Sequence, residues 1–262
     1  MINQPVALVT GASRGIGAAI AIKLALDGYF LILNSRTADP NVTNKGVFSV
    51  KKAIVEAGGN AIVCRADISD PDERSSILKM IDDDIGRIDL HINNAGIEPP
   101  FDDMLEASTE SFDKVFFTNV KGPFFLTQQI AKRMISGLKD GRVKTPRIIF
   151  ITSVQADMAN AAGAEYCMSK AALSMAMRSY AARLGPEGIN VYEIRPGIID
   201  TDMTIKHREG IKKRIANGEI LTPRSGQPED IAKVACAIAR GDFDYATGAI
   251  IDVGGGFGLS RL

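Results

Sequence analysis

"VALVTGASRGIG", residues 6–17, is the stretch on which the reading of the fold turns. Its first five residues, "VALVT" (6–10), are apolar or β-branched and suit a buried strand. A loop follows in which Gly11, Gly15 and Gly17 are spaced G-x-x-x-G-x-G, with Ser13, Arg14 and Ile16 among them. Glycine admits positive φ and lets another backbone or a ligand approach closely. A helical pattern then starts at residue 15, so the loop delivers the chain to a helix N-terminus whose free N–H groups suit a pyrophosphate. Strand, glycine turn and helix in that order predict a dinucleotide-binding βαβ unit.

Working outward, the same alternation continues to the end of the chain. Short apolar runs at 30–34, 61–66, 89–93, 147–152, 189–194 and 248–253 read as strands. Helical patterns cover 15–28, 44–57, 71–86, 103–136, 164–184 and 228–240. Several strands are apolar on both faces, as a parallel sheet covered by helices on both sides requires. The expectation is therefore an α/β fold: one doubly wound parallel sheet of about seven strands, in a single domain spanning 1–262. Two segments interrupt the pattern. Residues 136–147 read as an extended polar loop, and 200–227 as a substrate lid placed after a strand's carboxyl end.

The bulk numbers narrow the function classes. The chain has 262 residues, 45% hydrophobic and 24% charged, with equal numbers of acidic and basic side chains and a formal net charge of zero. That balance, with no tryptophan, argues against a nucleic-acid partner. No apolar run is long enough to span a bilayer, and no basic leader precedes the first strand, so neither membrane nor export is expected. Cys64, Cys167 and Cys236 lack metal-type spacing and suit a reduced cytoplasm. With only His91 and His207, neither a metal site nor a histidine triad is expected.

Two local patterns point to chemistry. After the second strand, where an NAD site offers a carboxylate to the ribose, this chain has Ser35 and then Arg36. With Arg14 in the glycine loop, two guanidiniums suit a 2′-phosphate, so NADP(H) is favoured over NAD(H). Farther on, "EYCMSK" (165–170) puts Tyr166 and Lys170 one helical turn apart on a common face. An ammonium there would favour the phenolate. Cys167 lies between them, but neighbours on a helix point different ways and no histidine is near to activate it.

Ser153, thirteen residues before Tyr166, completes a Ser-x12-Tyr-x3-Lys pattern. Together with "TGASRGIG" (10–17), "NNAG" (93–96), Asn119 in "TNVKG" and "RPGIIDTDMT" (195–204), it resembles the short-chain dehydrogenase/reductase family over nearly the whole chain. The likeness is closest to the 3-oxoacyl-[acyl-carrier-protein] reductase-like branch. The resemblance implies a Rossmann-type sheet and an NAD(P)-dependent oxidoreductase that interconverts a ketone and a secondary alcohol. It implies that Tyr166 is the general acid, that Lys170 lowers its pKa and holds the nicotinamide ribose, and that Ser153 donates to the substrate oxygen. Asn119 would hold a water linking Lys170 to solvent. Asp67 and Ile68 would meet the adenine, and Asn94, Ala95 and Gly96 the adenosine side and the ribose. Pro196, Gly197, Ile199 and Thr201 would border the carboxamide. A homotetramer built on helices near 115–135 and 164–184 is implied as well. Two alternatives stay open: an NAD-linked alcohol, polyol or sugar dehydrogenase, and a non-enzymatic nucleotide-binding sensor. Polar Glu98 and the mixed segment 155–165 leave the small-molecule carbonyl substrate unspecified.

Overall fold

The computed structural model describes residues 2–99 and 103–259. Seven strands form one sheet in the order β3-β2-β1-β4-β5-β6-β7, and every neighbouring pair is parallel. They are β1 (Val6–Val9), β2 (Phe30–Ser35), β3 (Asn60–Arg65), β4 (Leu90–Asn93), β5 (Arg147–Ile151), β6 (Asn190–Pro196) and β7 (Ile250–Val253). Each expected strand is present and differs by a few residues at most at its ends.

Alternate residues of one strand feed two separate cores. Ala7 and Val9 of β1 join Leu31, Leu33, Ile149 and Ile151 on one face. That face is covered by α1 (Gly15–Leu26), α2 (Gly46–Glu56) and, from the far end of the chain, the helix Pro228–Arg240. Val6 and Leu8 point the other way, into a core with Ile77 of α3 (Pro71–Met80) and with the long helices that follow. These are α5 (Gly122–Lys139) and α6 (Ala164–Leu184), with the short α4 (Thr109–Phe116) before them and α7 (Arg208–Ala216) and α8 (Pro228–Arg240) after. Burial on both faces explains why the strand sequences are continuously apolar rather than alternating.

The structure departs from the expected helix 103–136. A 3-10 turn, Met104–Glu106, comes first, and Ser108 then caps α4 by accepting from the Ser111 N–H at 3.1 Å. Between α4 and α5 lies a five-residue π turn, Phe117–Lys121, with Asn119 inside it. The expected loop at 136–147 is also shorter, because α5 runs on to Lys139 and the chain turns at Gly141, where φ is +78°.

The sheet order reverses between β1 and β4, which leaves their carboxyl ends diverging into a crevice. Every segment that follows a strand carboxyl end opens toward it.

Candidate active site

At this crevice lies a cleft of about 1370 Å³. Its floor is the glycine loop. Gly11 and Gly15 have φ of +66° and +55°, the left-handed region that side chains resist. Gly17 is needed for a different reason: a Cβ there would strike the Gly11 carbonyl oxygen and stand 2.5 Å from Asn94 Nδ2. Thr10, which the sequence reading passed over, ties this loop to the end of β4. Its hydroxyl accepts from the N–H groups of Asn94 and Ala95 at 3.0 and 3.1 Å, while Asn94 Nδ2 returns a bond to the Thr10 carbonyl at 2.9 Å. No side chain caps the first turn of α1, and no acidic residue stands in it. Its N–H groups therefore face the cleft as an anion site, which fits a dinucleotide pyrophosphate.

The residues expected to meet a cofactor are gathered here. Gly11, Ser13, Arg14, Gly15, Ile16, Gly17, Ser35, Arg36, Asp67, Ile68, Asn94, Ala95, Gly96, Pro196, Gly197, Ile199 and Thr201 all line the cleft, with Ser153, Tyr166 and Lys170. Lys45, at the start of α2, adds a cation that the sequence reading did not single out. At the ribose end, Ser35 is buried and donates to the Thr37 carbonyl at 2.9 Å. Arg36 lies 3.9 Å from the Asp67 carboxylate, and Arg14 reaches Asp202 at 3.3 Å across the opening. Both arginines are exposed and neither ion pair is tight.

The proton-handling groups converge from three elements. Ser153 follows β5 and caps the 3-10 turn Val154–Ala156, accepting from the Gln155 N–H at 3.1 Å. Tyr166 and Lys170 rise from the first turns of α6, on one face as their spacing predicts. Lys170 is buried and donates to the Ile151 carbonyl at 3.1 Å, with its ammonium 5.3 Å from the Tyr166 ring centroid. Burial lowers its pKa to about 8, against the upward pull of the Glu193 and Glu98 carboxylates.

The Tyr166 phenol is pulled in both directions. Burial pushes its phenol well above the ordinary tyrosine value, the Glu98 carboxylate pushes it further, and a hydrogen bond with Ser153 pulls it down. Ser153 supplies the downward pull, and the Lys170 ammonium stands over the ring, where it favours the phenolate once that forms.

Asn119 has a structural part as well. Its side chain is wholly buried behind the cleft and clasps the chain after β4. Oδ1 accepts from the Ile97 N–H at 2.9 Å, and Nδ2 donates to the Ile97 carbonyl at 2.9 Å and to Ser169 Oγ at 3.0 Å. Both amide hydrogens are thus engaged with protein partners, while Oδ1 keeps a second lone pair for the expected water.

Beyond these groups, Glu98, Gln155 and Asn160 line the polar side of the cleft. Met203, Lys206, His207 and Arg214 border it from the segment expected to be a lid, whose helix α7 buries none of its residues. Phe257 approaches from the chain's end, with the Arg214 guanidinium 5.7 Å from its ring centroid. Among the described residues, no group of three or more His, Cys, Asp or Glu side chains is arranged to hold a metal ion. No helix among them is long and apolar enough to cross a membrane.

Comparison with known proteins agrees with this geometry. The model of the short chain dehydrogenase family matches residues 5–212. A 3-oxoacyl-[acyl-carrier-protein] reductase of Staphylococcus aureus is 33% identical over 251 residues, covering 95% of this chain and 96% of its own. An L-rhamnose 1-dehydrogenase (NAD(P)(+)) of Azotobacter vinelandii is 33% identical over 250 residues, covering 95% and 94%. The crystal structure of a 3-oxoacyl-[acyl-carrier protein] reductase from Brucella melitensis in complex with NAD matches with a TM-score of 0.91 at 33% identity, over 100% of both chains. With its Rossmann-type sheet, its glycine cradle and these relatives, the chain belongs to the short-chain dehydrogenase/reductase family, in the branch resembling 3-oxoacyl-[acyl-carrier-protein] reductase.

Proposed function

We propose that this oxidoreductase uses NADP(H) to interconvert a ketone and a secondary alcohol, with Tyr166 carrying the proton. The observation that supports it most is the convergence of Ser153, Tyr166 and the buried Lys170 on one cleft floored by a glycine loop. When bound, the nicotinamide supplies hydride to the carbonyl carbon or removes it from the alcohol. Tyr166 donates its phenolic proton to the carbonyl oxygen, and Ser153 donates a hydrogen bond to that oxygen as negative charge gathers there. The phenol is protonated at neutral pH, as reduction requires, and burial and Glu98 extend that state to higher pH. Oxidation needs the phenolate and should gain as pH rises. Lys170 neutralises the phenolate once it forms, and Asn119 holds Gly96–Ile97 and α6 in register. The chain works as one domain, with 200–227 closing over substrate.

Arg14, Arg36 and Lys45 surround the place where a 2′-phosphate would lie, and no carboxylate ends β2. Both favour NADP(H). A second reading, a sugar or polyol dehydrogenase, is favoured by the polar rim of Glu98, Gln155 and Asn160, and it fits the L-rhamnose dehydrogenase likeness. Exposed Phe124 and Phe125 on α5 and Met168 and Met175 on α6 suit burial in a cytoplasmic homotetramer. The deciding experiment is a panel of acetoacetyl thioester with NADPH and of L-rhamnose and gluconate with NADP⁺, run on the parent and on Tyr166→Phe. Loss of about 10²–10⁴-fold in turnover is expected for the variant. Undiminished turnover in Tyr166→Phe would remove Tyr166 from the reaction.

A further inference from the structure

Strand β6 carries two charged side chains two positions apart on one face, Glu193 and Arg195, and both are buried. Glu193 Oε1 accepts from Thr152 Oγ1 at 2.6 Å and from Arg195 Nε at 2.6 Å, while Oε2 accepts from Ser174 Oγ at 2.7 Å. Arg195 donates on to Ser174 Oγ at 3.0 Å, and its other terminal nitrogen reaches Asp157 on the rim. Each contact leads to a separate part of the site. Thr152 immediately precedes Ser153. Ser174 lies one turn beyond Lys170 on α6. Asp157 ends the 3-10 turn that Ser153 caps. A buried ion pair rarely stabilises a fold more than apolar residues of the same volume would, so stability alone is a poor account of this one.

We propose that Glu193 and Arg195 are positioning residues, a buried carboxylate–guanidinium clamp that holds Ser153 and the segment 154–163 in register with Tyr166 and Lys170. The proposal rests on the assignment of Ser153, Tyr166 and Lys170 above and adds residues to it. Thr152 and Asp157 are pulled toward one anchored pair, and Ser153 lies between them in sequence. Ser174 fixes the rotation of α6 just past Lys170, which is the angle that decides where the ammonium and the phenol point.

The clamp also sets the charge that Lys170 experiences. Facing its ammonium are the Ile151 carbonyl from β5, the Tyr166 ring from its own helix, Gly96 and Glu98 from the loop after β4, and Asn119 from the π turn. Of these only Glu98 is anionic, and Glu193 from β6 is the larger of the two carboxylate influences. Removing the Glu193 charge therefore leaves burial less opposed and lowers the lysine pKa further.

The test compares Glu193→Gln and Asp157→Ala with the parent. Glutamine keeps an acceptor oxygen for Thr152 and Arg195 and turns its amide to Ser174, so chiefly the charge is lost. For NADPH-dependent reduction of acetoacetyl thioester, Glu193→Gln should lose about tenfold in kcat with little change in KM. Its alkaline limb should move to lower pH by roughly one unit. In cofactor-free protein, the rise in Tm that accompanies deprotonation of Lys170 should begin roughly one unit lower as well, a readout independent of substrate. Asp157→Ala leaves the buried pair intact and should raise KM several-fold with the limb unmoved. Parental kcat, pH limb and Tm profile in Glu193→Gln, with parental KM in Asp157→Ala, overturn the clamp. If Glu193→Gln does not fold, Thr152→Val and Asp157→Ala decide. A fall in kcat for the first and a rise in KM for the second support the clamp, and parental kinetics in both overturn it. An active Tyr166→Phe would instead defeat the underlying assignment, which separates the two failures.

Discussion

Replacing Asn119 by alanine distinguishes a side chain that clasps the backbone from one that relays protons. The amide makes three bonds, two of them to Ile97, from a position with no solvent exposure. Alanine removes all three. Ser169 suffers little, because its hydroxyl still donates to the Tyr166 carbonyl at 2.8 Å. The N–H and C=O of Ile97 are left without their partners. A fully buried orphan costs about 1–3 kcal/mol, and Ile97 is only partly buried, so water in the vacated space recovers part of this. A net loss of about 2–4 kcal/mol follows. At roughly 2–3 °C per kcal/mol for a chain of this length, Tm should fall by about 4–12 °C. Thermal unfolding of cofactor-free protein, followed by far-ultraviolet circular dichroism, measures it. Asn119→Asp is the comparator, since it keeps the acceptor for the Ile97 N–H and loses both donors. An Asn119→Ala protein that melts within about 1 °C of the parent but has lost turnover would refute the clasp and leave the relay as its role.

Three further outcomes follow from other parts of the site. Lys170→Met should stabilise the protein while abolishing activity, because the buried ammonium, lowered from 10.5 to about 8, is a liability when charged. The liability is about 3 kcal/mol below pH 8, partly offset by the bond to Ile151, so a net gain of about 1–2 kcal/mol is expected near neutrality. That gain should fade between pH 8 and 10.5, as the folded lysine deprotonates before the unfolded one, and denaturant midpoints across this range would show it. Arg36→Ala should weaken NADPH by about 10–100-fold and NADH much less, by fluorescence titration of both; equal losses would remove Arg36 from 2′-phosphate recognition. Gly17→Ala should weaken both cofactors at least tenfold, since the new methyl meets Asn94 and the Gly11 carbonyl rather than open space; unchanged titration curves would contradict the packing.

Much of this architecture was legible because the sheet is parallel and buried on both faces. Each strand then appears as an apolar run of a length that no helix shares, and Val6 to Val9 could be placed without knowing their neighbours. The glycine loop was legible because Gly11, Gly15 and Gly17 answer to backbone geometry rather than to packing. The pair Tyr166 and Lys170 followed from the helical period alone. The break at 103–136 was harder, since a π turn leaves apolar spacing almost unchanged and Ser108 is one serine among several. The upward pull on the Tyr166 phenol was not legible, because it depends on burial and on Glu98, which reaches the phenol from another strand's loop. The bonds from the Asn119 amide to Ile97 were not legible, because that partner is twenty-two positions away and only the fold brings it near. Glu193 and Arg195 did leave a signal: opposite charges at i and i+2 of an inner strand share a face and must find partners there.

The π turn at Phe117–Lys121 restricts how the gene can change its length. An extra residue accommodated in that turn cannot be dropped without consequence. A one-codon deletion there would heal the helix into regular winding, but it would swing everything before the break by about 100° and draw it in by about 1.5 Å relative to α5. Val115 would leave its place in the interior and Asn119 would turn away from Ile97. Point changes at the exposed positions of this turn should therefore be far better tolerated than any in-frame loss, whereas the turn around Gly141 can absorb either.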